Sequence, residues 1–190
     1  MPTSAVWYLA LLGAFILERG FELHLSAKNA RWAFRKGGHE TGQLHYRAMT
    51  VLHACFFAAC GLELVWRRPH FPGAVGWAAL GVTALGQVLR YWSILTLGRR
   101  WNTRVIVLPE TSPVVAGPYR YIRHPNYLAV CLELAALPAV HGLFFTSLVF
   151  SVANALLLRV RIRTEEAALG SHYEVAFAHT PRFVPGARHD

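Results

Sequence analysis

Apolar residues in this 190-residue chain gather into five long runs separated by short polar segments. A helix that crosses a bilayer needs about 20 mostly apolar residues. The first run, Ser4 to Leu17, is short and continues into a more polar stretch. The second, about Ala48 to Trp66, encloses His53 and Glu63. The third, about Phe71 to Leu97, is interrupted by Gln87 and Arg90. The fourth and fifth, Tyr127 to Val140 and Leu143 to Val160, are separated only by His141-Gly142. So short a break predicts a tight helical hairpin, with Pro138 kinking or ending its first arm. The pattern predicts an all-α integral membrane protein with about five transmembrane helices. Strand-like alternation is scarce. Arg104 to Leu108 is the one short β-prone run, and it falls in a loop. Arg159 to Tyr173 reads as a helix leaving the membrane, and Pro181 to Pro185 as an irregular tail.

Composition supports this reading. Apolar residues make up 54% and charged residues 15%, against about 25% charged in soluble domains. The net charge is +9. A nucleic-acid binder would carry that charge on a polar, soluble face, so no nucleic-acid partner is expected. Five cations fall after the first span (Lys28, Arg31, Arg35, Lys36, Arg47) and five after the third (Arg99, Arg100, Arg104, Arg120, Arg123). Five more follow the fifth: Arg159, Arg161, Arg163, Arg182 and Arg188. The opposite side has only Arg67 and Arg68. The positive-inside rule then puts the N-terminus outside and the C-terminus in the cytoplasm, in the inner membrane if the source is bacterial. No cationic segment precedes Ala5 to Leu17, and Glu18-Arg19-Gly20-Phe21-Glu22 stands where a cleavage site would. This run is therefore expected to be a retained membrane helix, not a signal peptide. Cys55, Cys60 and Cys131 lie in apolar runs without CxxC spacing, and the ten histidines show no HxxxH or HExxH pair. The cysteines are expected to be small buried hydrophobes, and no metal site is expected.

Charged groups at membrane depth cost roughly 2.5 to 3.5 kcal/mol each on insertion scales. Glu18, Glu22, Ser26 and Asn29 share one face of a continuing helix. They either line an internal site or mark the helix emerging into headgroups. Arg90 stands seven residues from the end of its span, about 10 Å deep; it either faces inward or snorkels. Glu63 is expected to be structural. Glu133 lies one turn beyond a tyrosine- and arginine-rich segment, GPYRYIRHPNYL, residues 117–128.

In that segment Gly117-Pro118 breaks the chain. Pro125 suits the first turn of a helix, where its missing N–H is not needed. The free amides there form a donor-rich end able to take a carboxylate. Tyr119, Tyr121 and Tyr127 can frame a flat ring or a cation, with Arg120, Arg123 and His124 as donors. An interfacial aromatic and basic belt has the same composition. RVRIRTEEAALGSHY follows the fifth span on the same side. Its Glu165 and Glu166 either pair with Arg161 and Arg163 along the helix, at about 0.2 to 0.5 kcal/mol each, or bind an ammonium and sugar hydroxyls.

The order Gly-x-Tyr-x-x-x-Arg-His-Pro-x-Tyr, helical hairpin, Arg-Thr-Glu-Glu resembles the isoprenylcysteine carboxyl methyltransferase family, membrane enzymes that use S-adenosylmethionine. The resemblance is densest from about Gly98 to Pro185. ERGFELHLSAKNARWAF also looks like a bacterial branch associated with type III polyketide synthases, whose members O-methylate alkylpyrones or alkylresorcinols. The resemblance implies one membrane methyltransferase domain over 1–190, with 1–97 on the acceptor side and 98–190 holding the cofactor. The cofactor site is then cytoplasmic, between the loop after the third span and the C-terminal helix. His124, Pro125 and Tyr127 match cofactor-contacting positions. Gly117, Pro118 and Tyr119 match the loop over the cofactor, and Glu165 and Glu166 match its acidic pair. Arg123 matches an arginine near cofactor and acceptor, and Tyr173, Arg182 and Pro185 echo a tail that folds back. Arg123, His124 and Glu166 are the expected catalytic residues. Glu18, Glu22, Asn29 and Arg90 are the candidates for binding a lipophilic or lipidated acceptor, a prenylcysteine-type carboxylate or an alkylpyrone or alkylresorcinol hydroxyl. A membrane NADPH-dependent reductase of similar architecture, and a non-catalytic transporter or scaffold, are the alternatives.

Overall fold

The computed structural model describes residues 3–109 and 111–183; Pro185 and Arg188 lie outside the described residues. Five helices carry the fold: α1 (Thr3–Arg35), α2 (Gln43–Arg67), α3 (Ala74–Leu97), α4 (Pro125–Ala139) and α5 (Phe144–Ala176). Two strands, β1 (His39–Thr41) and β2 (Val105–Val107), pair antiparallel with Glu40 opposite Ile106. The β-prone run is thus a strand whose partner is the segment joining α1 to α2. Isolated β-propensity does not reveal such a partner.

Three helices, α1, α2 and α5, are long and apolar enough to cross a membrane. α3 has the length, 24 residues or about 36 Å, but carries Gln87 and Arg90. α4 has 15 residues, about 22 Å, which is less than a bilayer core. α1 is 33 residues long, and its polar continuation is the same helix carried past its apolar half. α4 and α5 form the expected hairpin. Pro138 sits in the last turn of α4, and its carbonyl accepts the N–H groups of His141 at 3.2 Å and Leu143 at 3.0 Å.

α3 packs on α4, α4 on α5, and α5 on α2. The α3–α4 contact is close because Gly86 has no side chain: a Cβ there would stand 3.3 Å from Leu132 Cβ and 3.4 Å from the Ala129 carbonyl oxygen. The inner core is apolar, with Tyr8, Leu12 and Phe15 meeting Phe56, Cys60 and Leu64, and Leu134 and Leu137 closing it. Cys60 is buried and Cys131 half-buried, while Cys55 faces outward. The outer surface is apolar as well. Trp7, Leu17, Leu62, Trp66, Trp77 and Leu95 are all more than half exposed, as expected of a surface solvated by lipid tails. Glu63 is structural, with Oε2 accepting the Thr146 N–H at 2.8 Å in the open first turn of α5 and Oε1 pairing with Arg67 at 3.1 Å.

The three basic segments meet at one end of the bundle. Arg104 reaches Glu40 at 3.2 Å, Arg161 donates to the Thr103 carbonyl, and Arg123 donates to the Thr180 carbonyl.

Candidate active site

Local chain chemistry builds the site before any ligand is considered. Gly117 takes φ +52°, and a Cβ there would lie 2.3 Å from Thr96 Oγ1. Only glycine lets the chain turn that tightly against α3. The following 3-10 turn, Gly117–Arg120, buries Pro118 and Tyr119. Tyr119 then packs with Tyr173 and Phe177 from the far end of α5. Pro125 opens α4 at its first position, with His124 before it. The His124 ring stacks on Tyr127 at 5.3 Å and 18°.

The tail returns to this corner. The Arg123 and His124 N–H groups donate to the carbonyls of Pro181 at 2.8 Å and Arg182 at 3.2 Å. The Arg182 guanidinium forks onto Glu166, with Nε on Oε1 at 3.0 Å and Nη2 on Oε2. His124 Nε2 reaches the same Glu166 Oε1 at 3.0 Å. Burial alone would raise the Glu166 carboxyl, but bonds from His124 and Arg182 prevail and hold it down at about 2.

Two cavities open beside this corner. The first, about 220 Å³, is walled by residues within 99–108 and 111–114, by Tyr119, Arg123 and His124, and by Glu165, His172 and Tyr173 of α5. The second, about 380 Å³, is walled mainly by facing stripes of α1 and α2. Ile16 and Leu23 on its α1 edge are exposed on the outer surface, as are Thr50 and Ala54 on its α2 edge. The cavity therefore opens sideways onto the lipid-facing surface between these helices. Both cavities are lined by Trp101, Asn102, Asn126 and Tyr127. One layer of side chains divides the more polar chamber from an oily one.

That dividing layer is wired in place. Tyr127 Oη donates to Glu165 Oε2 and accepts from Arg161 Nε at 2.8 Å. Arg161 therefore serves the wall instead of pairing along its helix with Glu165. Ser26 accepts the Thr103 N–H at 3.0 Å and donates to Asn102 Oδ1 at 2.7 Å. Asn29 donates to the Trp101 carbonyl at 2.7 Å. Trp101 Nε1 and Asn126 Oδ1 remain buried without partners among the described residues. A donor and an acceptor are thus left in the dividing wall for a third party.

The expected site residues divide accordingly. Tyr119, Arg123, His124, Tyr127 and Glu165 line the first cavity. Gly117, Pro118 and Pro125 shape its corner, and Glu166 holds the tail and His124. Glu22 and Arg90 line the second cavity. Glu18 binds Gln87, and Asn29 fixes the Trp101 loop. Glu133 completes a buried ionic group, accepting from Arg90 at 2.7 Å and Arg19 at 2.9 Å, while Glu22 pairs with the same two arginines. Trp101, Asn102, Asn126 and His172 are lining residues that sequence reasoning passed over, and Arg161 was expected only as a helix-face partner. Asn102 carries a local signal, since its side chain caps the Arg104 N–H at 3.0 Å as an Asx turn. The others are brought in by tertiary packing.

Comparison with known proteins agrees with the motif reading. Residues 79–171 match the model of the isoprenylcysteine carboxyl methyltransferase family. The chain is 34% identical over 160 residues to the uncharacterized protein YpbQ of Bacillus subtilis, covering 84% of this chain and 94% of that one. It is 29% identical over 110 residues to a protein-S-isoprenylcysteine O-methyltransferase of Schizosaccharomyces pombe, covering 57% of this chain and 47% of that enzyme. An uncharacterized protein of Haemophilus influenzae is 26% identical over 152 residues, 80% of this chain and 88% of its own.

Proposed function

The chain belongs to the isoprenylcysteine carboxyl methyltransferase family, and on that premise we propose that it is an S-adenosylmethionine-dependent O-methyltransferase acting on a lipophilic acceptor within the membrane. The observation that carries this reading is the pair of cavities, one of mixed polarity and one mostly apolar, sharing a single wall. A methyl transfer between a water-soluble donor and an oily acceptor needs two chambers that meet.

The donor set of the first cavity fits the cofactor. Glu165 offers a carboxylate to an ammonium or to ribose hydroxyls, and Arg123 and the amides opening α4 suit a carboxylate. Tyr119 and Tyr173 offer aromatic faces to a purine. Asn126 Oδ1 and Trp101 Nε1 supply the free acceptor and donor noted in the wall. S-adenosylmethionine, when bound, supplies a methyl group activated by its sulfonium. The protein's share is alignment and exclusion of water. Tyr127, tied to Arg161 and Glu165, fixes the partition between the chambers, and alignment of two reactants can contribute several kcal/mol. The tail, latched by Glu166, holds Arg123 and His124 in the wall of the first chamber. In this reading 98–190 forms the cofactor half and 1–97 the acceptor side. The basic end of the bundle faces the cytoplasm, and five spans include the short α4. The acceptor enters between α1 and α2, and is a prenylcysteine-type carboxylate or an alkylpyrone or alkylresorcinol hydroxyl. Arg123 and His124 stand at the cofactor corner, and Glu166 acts through them as a positioning residue.

Calorimetric titration of detergent-purified protein with S-adenosylhomocysteine and with NADPH tests the reading. Saturable binding of the first alone is expected. Binding of NADPH alone, or of neither, refutes it. Labelled cofactor incubated with a prenylcysteine analogue and with an alkylpyrone then separates the acceptor classes. Label on the prenylcysteine alone overturns the polyketide-associated branch.

A further inference from the structure

The oily cavity contains one imidazole, His53 of α2. Its Nδ1 lies 2.8 Å from the Met49 carbonyl oxygen, one turn back. A carbonyl can only accept, so Nδ1 must carry the proton. A neutral ring then leaves Nε2 bare, an acceptor with a free lone pair. Among the described residues the ring's only hydrogen bond is the one at Nδ1. Tyr46, Met49, Thr50, His53, Ala54 and Phe57 form the α2 stripe on this cavity, so the ring stands on the acceptor's own wall. His124 is less free for this task, because its Nε2 is engaged by Glu166 at 3.0 Å.

We propose that His53 is the proton acceptor for the methyl acceptor's hydroxyl, and that the chamber is therefore built for a weakly acidic O–H, phenol-like, and not for a carboxylate that is already ionised. This rests on the methyltransferase reading above. In the step, the acceptor's O–H proton passes to His53 Nε2, and the oxygen's pair forms the new O–CH3 bond. The pair of the broken C–S bond stays on sulfur, leaving a neutral thioether, and the imidazolium later returns its proton to water. The charged and titratable groups sharing the chamber are Arg19, Glu22, Tyr46, Arg90, Tyr127 and Arg161, with Glu133 bonded behind Arg19 and Arg90. The carboxylates there are already held by guanidinium groups. Glu22 Oε1 and Asn126 Oδ1 also lack partners, but the Glu22 carboxylate is ion-paired with Arg19 and Arg90 and an amide oxygen is a very weak base; His53 is the neutral nitrogen base among them.

The test compares wild type with His53→Gln on an alkylresorcinol, whose phenol ionises near pH 10, and on a prenylcysteine carboxylate. A general base contributes typically 10²- to 10⁴-fold. The variant is expected to lose at least about 100-fold in kcat on the phenol at pH 7 with KM little changed. That deficit should narrow as pH rises or as a nitro group acidifies the phenol. S-adenosylhomocysteine affinity should stay within twofold; a wild type that fails to bind it refutes the methyltransferase reading instead. In parallel, nitrogen-15 histidine spectra in detergent should lose one resonance pair in the variant, with its proton on Nδ1. A proton on Nε2 overturns the proposal whatever acceptor turns over. So does an undiminished phenol rate in the variant, or a wild type that methylates the carboxylate and not the phenol.

Discussion

Replacing Glu166 with alanine removes three hydrogen bonds at once, two from Arg182 and one from His124. The two donors differ in exposure. The His124 side chain is 3% exposed and Arg182 44%. A hydrogen bond to a charged group contributes about 1.5 to 3 kcal/mol when sheltered. A half-exposed ion pair contributes only about 0.2 to 1 kcal/mol. Together they hold the corner where Arg182, His124 and α5 meet by about 2 kcal/mol, or roughly thirtyfold in its formed-to-open ratio. Arg123 and His124 of that corner line the first chamber, so the loss passes into cofactor affinity through the fraction of molecules with the corner formed. Glu166→Ala should therefore weaken S-adenosylhomocysteine binding by about ten- to thirtyfold, with helical circular dichroism unchanged. Trypsin should cut faster after Arg182. Calorimetry and timed proteolysis on the same preparations measure both effects. If affinity and cleavage both stay within twofold of wild type, the latch does not govern the site.

The same carboxyl sets a pH window. Its folded value is depressed to about 2 from 4.5, so the stability it contributes is complete above about pH 4.5 and is lost as pH falls towards 2. Exchange protection of the Arg123 and His124 amides, normalised for intrinsic rate, should hold from pH 7 to about 4.5 and drop below it. A drop between pH 7 and 5 contradicts this account. Gly117→Ala should abolish cofactor binding or reduce it more than tenfold, since it adds both a clash with Thr96 and a left-handed φ. Adding Thr96→Ala should restore only part of the affinity in the same calorimetric assay. Arg90→Met leaves Glu133 and Glu22 sharing Arg19 alone. Breaking such a buried pair costs about 3 to 5 kcal/mol, so the melting temperature in detergent should fall by many degrees, and Arg90→Met with Glu133→Gln should melt higher than Arg90→Met alone.

The apolar runs were enough to place the helices, because lipid on the outer face and core on the inner face leave both sides of each helix oily. His141-Gly142 and Pro138 likewise marked the hairpin, since backbone chemistry acts where it stands. The motif from Gly117 to Tyr127 named the corner of the polar chamber for the same reason: turn residues and a proline-opened helix are local devices. The partners of those residues were not legible. Arg161 looked like a helix-face partner for Glu165, yet it crosses to Tyr127 and Thr103. Asn29 looked like a chamber residue, yet it fixes a loop from 72 positions away. Val105–Val107 showed β character without showing that 39–41 would pair with it. His53 read as one polar residue in an oily span until α1 came to face it across a cavity. Pattern along a chain reports what each residue prefers. Which groups meet is decided by how five helices share one bundle, because a buried donor or charge takes the partner that packing presents and not the neighbour that sequence spacing suggests.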